Sequence, residues 1–299
     1  MSAQESHMDS REVPGRRINI WLLRAVFSAA SIAVMLFLIC VALDHKAPPD
    51  LTQTGSYSTR LGEHLCQHLP DDSQVCLNTN SAIRYSFSRN TRNVEVVSGE
   101  VSFTVRSDST RPFNVLAGDA LVHDLSTSFN VYRKPDSTLV TVIDGRVRVA
   151  APVGYDVRTK FLQSKAANTW QSAPEYKRLQ QVEFDEATRQ LHERHQLTED
   201  RLAQLLAWQK GHINLNGLTV GEALNEFSRY QPIGHFKFQN QELSKILVGG
   251  SMKATNLMDF LDALDKGFAI HHRLKKGADG NSVVMLSRQE HMYNKIDMK

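Results

Sequence analysis

VEVVSGEVSFTV, running from Val94 to Val105, decides the reading of this 299-residue chain. Val94 and Val96 alternate with polar neighbours, and Val101, Phe103 and Val105 do the same. Side chains two apart share one face of a strand, so each run predicts a half-buried β-strand. Ser98-Gly99 between them reads as a turn, with Gly99 supplying a positive φ. The pattern continues outward at Phe113 and Val115, Phe129 and Val131, Val140 and Val142, and Val147 and Val149. Turn signals separate the runs at Pro70-Asp71-Asp72-Ser73, Ala117-Gly118-Asp119, Lys134-Pro135-Asp136 and Asp144-Gly145. Residues 58–152 therefore read as an all-β sandwich, barrel or short solenoid. Asp144-Gly145 is the strongest hairpin signal, of type I′. In Arg111-Pro112-Phe113, Pro112 reads as opening a strand and Phe113 as core, in preference to a partner contact.

Downstream, 153–204 is rich in Gln, Glu, Lys, Arg and His and shows no strand alternation. Leu191, Leu197, Leu202 and Leu205 have helical spacing, so this stretch reads as a helical or extended connector. Residues 205–290 follow the order β-α-β-β-α-β-β. A strand at Ile213–Leu215 leads to a helix at Thr219–Tyr230, stopped by Gln231-Pro232. Strands at Ile233–Phe238 and Ile246–Gly249 precede a helix at Thr255–Lys266, with Gly267 as its cap. Phe268–Leu274 and Ser282–Leu286 close as a hairpin, and 291–299 is a tail. The whole predicts a small α+β domain with two helices on one sheet face. Open edges of such a sheet invite strand addition by a partner. Ile233, Phe236, Phe238, Ile246, Leu247 and Val248 are the candidate partner-binding residues. The unbroken apolar run Ile246–Val248 fits a central strand as well.

Upstream, Ala25–Leu43 is nineteen residues without a charge. A helix of that length spans about 28 Å, close to the hydrocarbon core of a bilayer. Arg11, Arg16, Arg17 and Arg24 precede it, so the positive-inside rule puts a short tail, 1–24, in the cytoplasm. The run is too long for a signal peptide. The expectation is a membrane-anchored chain with one N-terminal transmembrane helix at 25–43 and a linker at 44–57. It would be single-pass in a bacterial inner membrane, with its bulk periplasmic. In that oxidising compartment Cys66 and Cys76 read as a disulfide, against two free thiols in a core. A two-residue turn at Asp71-Asp72 would put them on opposite faces of a hairpin; a three-residue loop or bulge would put them opposite one another.

The formal net charge of +3, evenly spread, argues against a nucleic-acid binder. Three cysteines are too few for a disulfide scaffold or a tetrathiolate zinc site. His192 and His195 are one residue short of the i, i+4 spacing of a helical zinc site. His64 and His68 would lie about 13 Å apart in a strand. No nucleophile elbow or phosphate loop occurs. The reading is a non-enzyme with no catalytic residue, no cofactor and no metal.

Several stretches taken together resemble the FecR family of signal transducers. They are Gly62-Glu63, Leu69-Pro-Asp-Asp-Ser73, Leu77-Asn-Thr-Asn-Ser81, Ser98-Gly-Glu100, Arg111-Pro-Phe-Asn-Val115, Thr127-Ser-Phe-Asn-Val131 and Asp144-Gly-Arg-Val147. Trp208-Gln-Lys-Gly211, Leu224-Asn-Glu-Phe-Ser-Arg-Tyr230 and Gly250 to Leu264 are similar to the family's second subdomain. That subdomain resembles the secretin/TonB N-terminal signalling fold. The resemblance implies a sensor that reads the signalling domain of an outer-membrane TonB-dependent transporter and relays its state to an extracytoplasmic-function sigma factor, often in iron-chelate uptake. The chain departs from the family in its short N-terminal tail, which lacks the usual anti-sigma domain. That implies a separate anti-sigma protein, or the tail itself, as the link to the sigma factor. The alternative is a periplasmic interaction scaffold or assembly factor without a transcriptional role. Asp72 and Ser126 stand where the family usually has Gly.

Overall fold

A computed structural model describes Met35 and residues 52–125, 127–150, 161, 172–193, 196–276 and 282–288. The first thirteen strands are β1 (Gln53–Ser58), β2 (Leu65–His68), β3 (Gln74–Leu77), β4 (Ala82–Phe87), β5 (Arg92–Thr104), β6 (Phe113–Ala117), β7 (Ala120–Asp124), β8 (Ser128–Arg133), β9 (Ser137–Asp144), β10 (Arg146–Ala150), β11 (Glu175–Lys177), β12 (Gln181–Asp185) and β13 (Gln190–Glu193). They form two layers that share β5. The first runs β1-β4-β5-β6-β7-β10-β11 and the second β2-β3-β5-β8-β9-β12-β13.

The two valine runs that open the sequence reading are thus one strand. Arg92–Val96 pairs with β6 in parallel, while Gly99–Thr104 pairs with β8 in the other layer. The change of layer falls at Gly99, whose φ is +79°. A Cβ there would lie 2.2 Å from Ser81 Oγ, so a side chain has no room. Gly99 is a bend inside a strand, not the turn expected from Ser98-Gly99. The alternating residues fill the space between the layers: Val94, Val96, Val101, Phe103, Phe113, Val115, Phe129, Val131, Val140, Val142, Val147 and Val149 are all fully buried. Phe103 stacks on Phe129 at 5.1 Å between ring centroids.

Asp144-Gly145 also differs from expectation. Gly145 has φ +77°, but β9 pairs with β8 and β12, and β10 with β7 and β11. The dipeptide is a corner between layers and not a hairpin. The connector reading of 153–204 is corrected too. β11, β12 and β13 extend both layers, and Val182 and Phe184 are buried. Among the described residues there, Phe161 and Glu199–Leu205 are helical. The stretch assigned to a linker contains β1, a mostly exposed strand paired with β4.

The chain continues through α1 (Glu199–Leu205), β14 (His212–Asn214), β15 (Leu218–Thr219), α2 (Val220–Ser228), β16 (Ile233–Phe238), β17 (Leu247–Val248), β18 (Ser251–Lys253), α3 (Leu257–Phe268), β19 (Ile270–Lys276) and β20 (Ser282–Arg288). Thr219 caps α2, its hydroxyl accepting from the Glu222 amide while the Glu222 carboxylate takes the Thr219 N–H at 2.8 Å. Val220, Ala223, Leu224 and Phe227 make one stripe, and Leu257, Phe260, Leu261 and Leu264 make the matching stripe of α3. Phe227 stacks on Phe260 at 5.0 Å, at the centre of a second core. In place of the single sheet expected, the strands form three small ones: β14-β18, β15-β17 and β16-β20-β19. The α3 cap is Ala269, at φ 52°, and not Gly267. Both cores belong to one compact unit, 51–299.

The transmembrane and localisation expectations are corrected. Among the described residues no helix is long and apolar enough to cross a membrane. Ala25–Leu43 lies outside the described residues except for Met35. The single-pass, inner-membrane placement built on it is therefore not carried forward.

Candidate functional site: the seam between the two cores

Along the second layer, residues facing away from the sandwich core should meet solvent. At five of them that exposure is reduced or lost. Cys76 is half-buried, and Glu100, Ser102, Asn130 and Thr141 are 6% exposed or less. The second core covers them, and Cys76 packs directly against it.

Glu100 is the hub of this seam. Its carboxylate accepts from Asn78 Nδ2 at 2.9 Å, from Asn130 Nδ2 at 2.9 Å and from the Arg229 guanidinium at the end of α2. Arg229 also donates to Glu226 at 2.6 Å and lies over the Tyr132 ring, 4.4 Å from its centroid. Burial works against the Arg229 charge, but Glu100 and Glu226 outweigh it and hold the guanidinium above its ordinary pKa. Burial raises the Glu226 carboxyl above the usual range, with Arg229 pulling the other way. Burial likewise raises the Tyr230 hydroxyl.

Backbone and neutral groups complete the joint. Asn78 Nδ2 donates to Tyr230 Oη at 3.0 Å, and Thr79 Oγ1 donates to the Arg229 carbonyl at 3.1 Å. Gly62 N donates to Thr79 Oγ1 at 2.8 Å. A buried ion pair gains only where further hydrogen bonds support it, and the Glu100 carboxylate takes three, two on Oε2 and one on Oε1. Arg92 and Asp71 form a second fully buried pair at 2.7 Å. That pair pins the β2–β3 loop to the start of β5. Cys66 and Cys76, directly opposite in that hairpin, are joined by a disulfide. The loop is the three-residue version, Pro70-Asp71-Asp72, with Asp72 at φ 65°.

Residues 55–148 match the family model described as FecR protein. Residues 55–148 of the sandwich are a FecR domain. Asn78, Glu100 and Asn130 of the seam all lie in the FecR domain. No curated protein matches the chain. Two crystal structures of a candidate anti-sigma factor from Parabacteroides distasonis share the fold. One is 21% identical with a TM-score of 0.54, covering 80% of this chain and 100% of that one. The other is 22% identical with a TM-score of 0.55, covering 79% and 100%.

The sequence-derived partner residues divide between two places. Ile233, Phe236 and Phe238 lie on β16, which pairs with β20 alone among the described strands. Phe236 and Phe238 line an open cleft of about 550 Å³ between α2 and the segment that follows β16. Leu247 and Val248 form β17 of a different sheet, with Leu247 65% exposed and Val248 buried, and Ile246 lies just before that strand. The run is neither uniformly buried nor central. Among the described residues no group of three or more His, Cys, Asp or Glu is placed to hold a metal.

Sequence reasoning took Ser98-Gly-Glu100 for turn chemistry and missed the hub. A carboxylate alternating with Val101 and Phe103 looks like a solvent-facing residue unless something is known to cover that face.

Proposed function

We propose that this chain is a non-catalytic regulator of a sigma-factor system, triggered by a protein partner. In this reading the trigger is the signalling domain of an outer-membrane TonB-dependent transporter, and the process served is iron-chelate uptake. The effect reaches the sigma factor directly or through a separate anti-sigma protein. The FecR domain and the fold shared with a candidate anti-sigma factor support the regulatory class. The observation that carries the reading is the pairing of an unmatched strand edge, β16, with a seam of buried charge. The edge offers a partner backbone hydrogen bonds, and the cleft beside it sets Phe236 and Phe238 among mostly polar side chains. The seam ties α2, the helix that precedes β16, to the FecR domain through Arg229 and Glu100.

The test is titration calorimetry of the full chain against a purified transporter signalling domain. Leu247→Asp and Lys237→Glu change exposed side chains, so folding stability should move by no more than about 0.5 kcal/mol. At least one of them should weaken binding about tenfold or more. Unchanged affinity in both would place the interface elsewhere.

A further inference from the structure

The seam encloses a cavity of about 220 Å³, walled by the outer face of the second layer and by the segment from α1 to β14. Two wall residues keep polar atoms with no partner among the described residues, Asn130 Oδ1 and Trp208 Nε1. Asn130 is 5% exposed and Trp208 4%. The Asn130 amide is oriented by its donation to Glu100 at 2.9 Å, so its oxygen is committed as an acceptor. An indole N–H can only donate. An unmatched buried donor or acceptor carries a desolvation penalty that a complementary ligand removes.

The charges lining the cavity are unequal. Glu100 and Glu226 are both engaged by Arg229. Lys134 sits over the Tyr132 ring at 5.2 Å, and Arg201 donates to Gln204. Neither forms a direct ion pair among the described residues, although Lys134 acts on Glu226 and Arg201 on Glu222 through their charges. The lining therefore combines cations and one unmatched donor with one buried acceptor, beside the apolar side chains of Leu139, Leu205 and Leu218. Since one water occupies about 30 Å³, the volume suits several waters or one molecule of amino-acid size.

We infer that the seam cavity is a binding site for an α-amino acid with an apolar side chain. Its carboxylate meets the Trp208 indole N–H and the Lys134 and Arg201 cations. Its ammonium group donates to Asn130 Oδ1. Such a ligand touches the FecR domain through Asn130 and Lys134, and the second core through Trp208, so its occupancy favours the closed seam.

The full chain, labelled with ¹⁵N at tryptophan, gives at most three indole signals, from its three tryptophans. Trp208→Phe assigns the relevant one. L-leucine is titrated to about 10 mM, ten times a 1 mM dissociation constant. Isovalerate and isoamylamine serve as the carboxylate-only and amine-only halves. Leucine should shift the Trp208 signal saturably and leave other tryptophan signals in place, while neither half-molecule does so at the same concentration. Lys134→Gln should weaken leucine binding about fivefold. The absence of a saturable shift with leucine would mean the cavity holds water only and would overturn the inference. An equal response to isovalerate alone would overturn it as well, by making the site a simple anion site.

Discussion

Arg229→Met removes the cation from the seam and leaves Glu100 buried beside two asparagine amides. The Glu100 side chain is 6% exposed and that of Arg229 20%. Breaking a fully buried pair from one side costs about 3–5 kcal/mol, and the partial exposure of Arg229 argues for the lower end, about 3 kcal/mol. Loss of the guanidinium from the Tyr132 face adds about 0.5–1 kcal/mol. The sum, about 3.5–4 kcal/mol, corresponds to a fall in Tm of about 7–16 °C for a unit of this size. Urea and thermal unfolding of the full chain would measure it. The Glu100→Gln, Arg229→Met double variant should be less damaged than the sum of the singles by about 2 kcal/mol, because the stranded charge is gone. If Arg229→Met lies within about 0.5 kcal/mol of wild type, or the double variant is additive, the seam is not held by this pair.

Gly99→Ala should cost about 2 kcal/mol or more in the same unfolding assay, because the residue combines φ +79° with a Cβ only 2.7 Å from Ser81 Cα. Reducing the Cys66–Cys76 disulfide should lower stability by about 2–3 kcal/mol, and mass spectrometry of unreduced peptides should recover the two cysteines linked. His123, whose Nδ1 lies 2.8 Å from Asn114 Oδ1, has its pKa depressed by burial and then by Arg148. Its folded form binds fewer protons than the unfolded chain, so its contribution is present above pH 6.5 and is lost as pH falls through the depressed value. Stability measured from pH 8 to pH 5 should fall less steeply for His123→Gln than for wild type.

The all-β class was legible because the core residues alternate locally, from Val94 through Val149, but that pattern left sandwich, barrel and solenoid open. β16 was legible to the residue, since Pro232 and the apolar run after it mark its start. Short strands with one covered residue were not. Val182 and Phe184 alternate among Gln181, Glu183 and Asp185, but the leucines that follow at helical spacing dominated that window. β1 carries little apolar signal because it lies at an edge and is half exposed. Gly99 and Gly145 announced positive φ correctly. Whether such a glycine makes a hairpin, a bend or a corner depends on which strands pair, and pairing is not local. The seam was the least legible. Glu100 and Arg229 are 129 residues apart, and each has an unremarkable neighbourhood in sequence.

The regulatory claim is tested most directly by the transcriptome of source cells lacking this gene, compared with the same cells carrying it again. The account predicts a coordinated change in a set of promoters read by one sigma factor, reversed by the wild-type chain and not by the Arg229→Met chain. A transcriptome in which no sigma-factor regulon moves would contradict it.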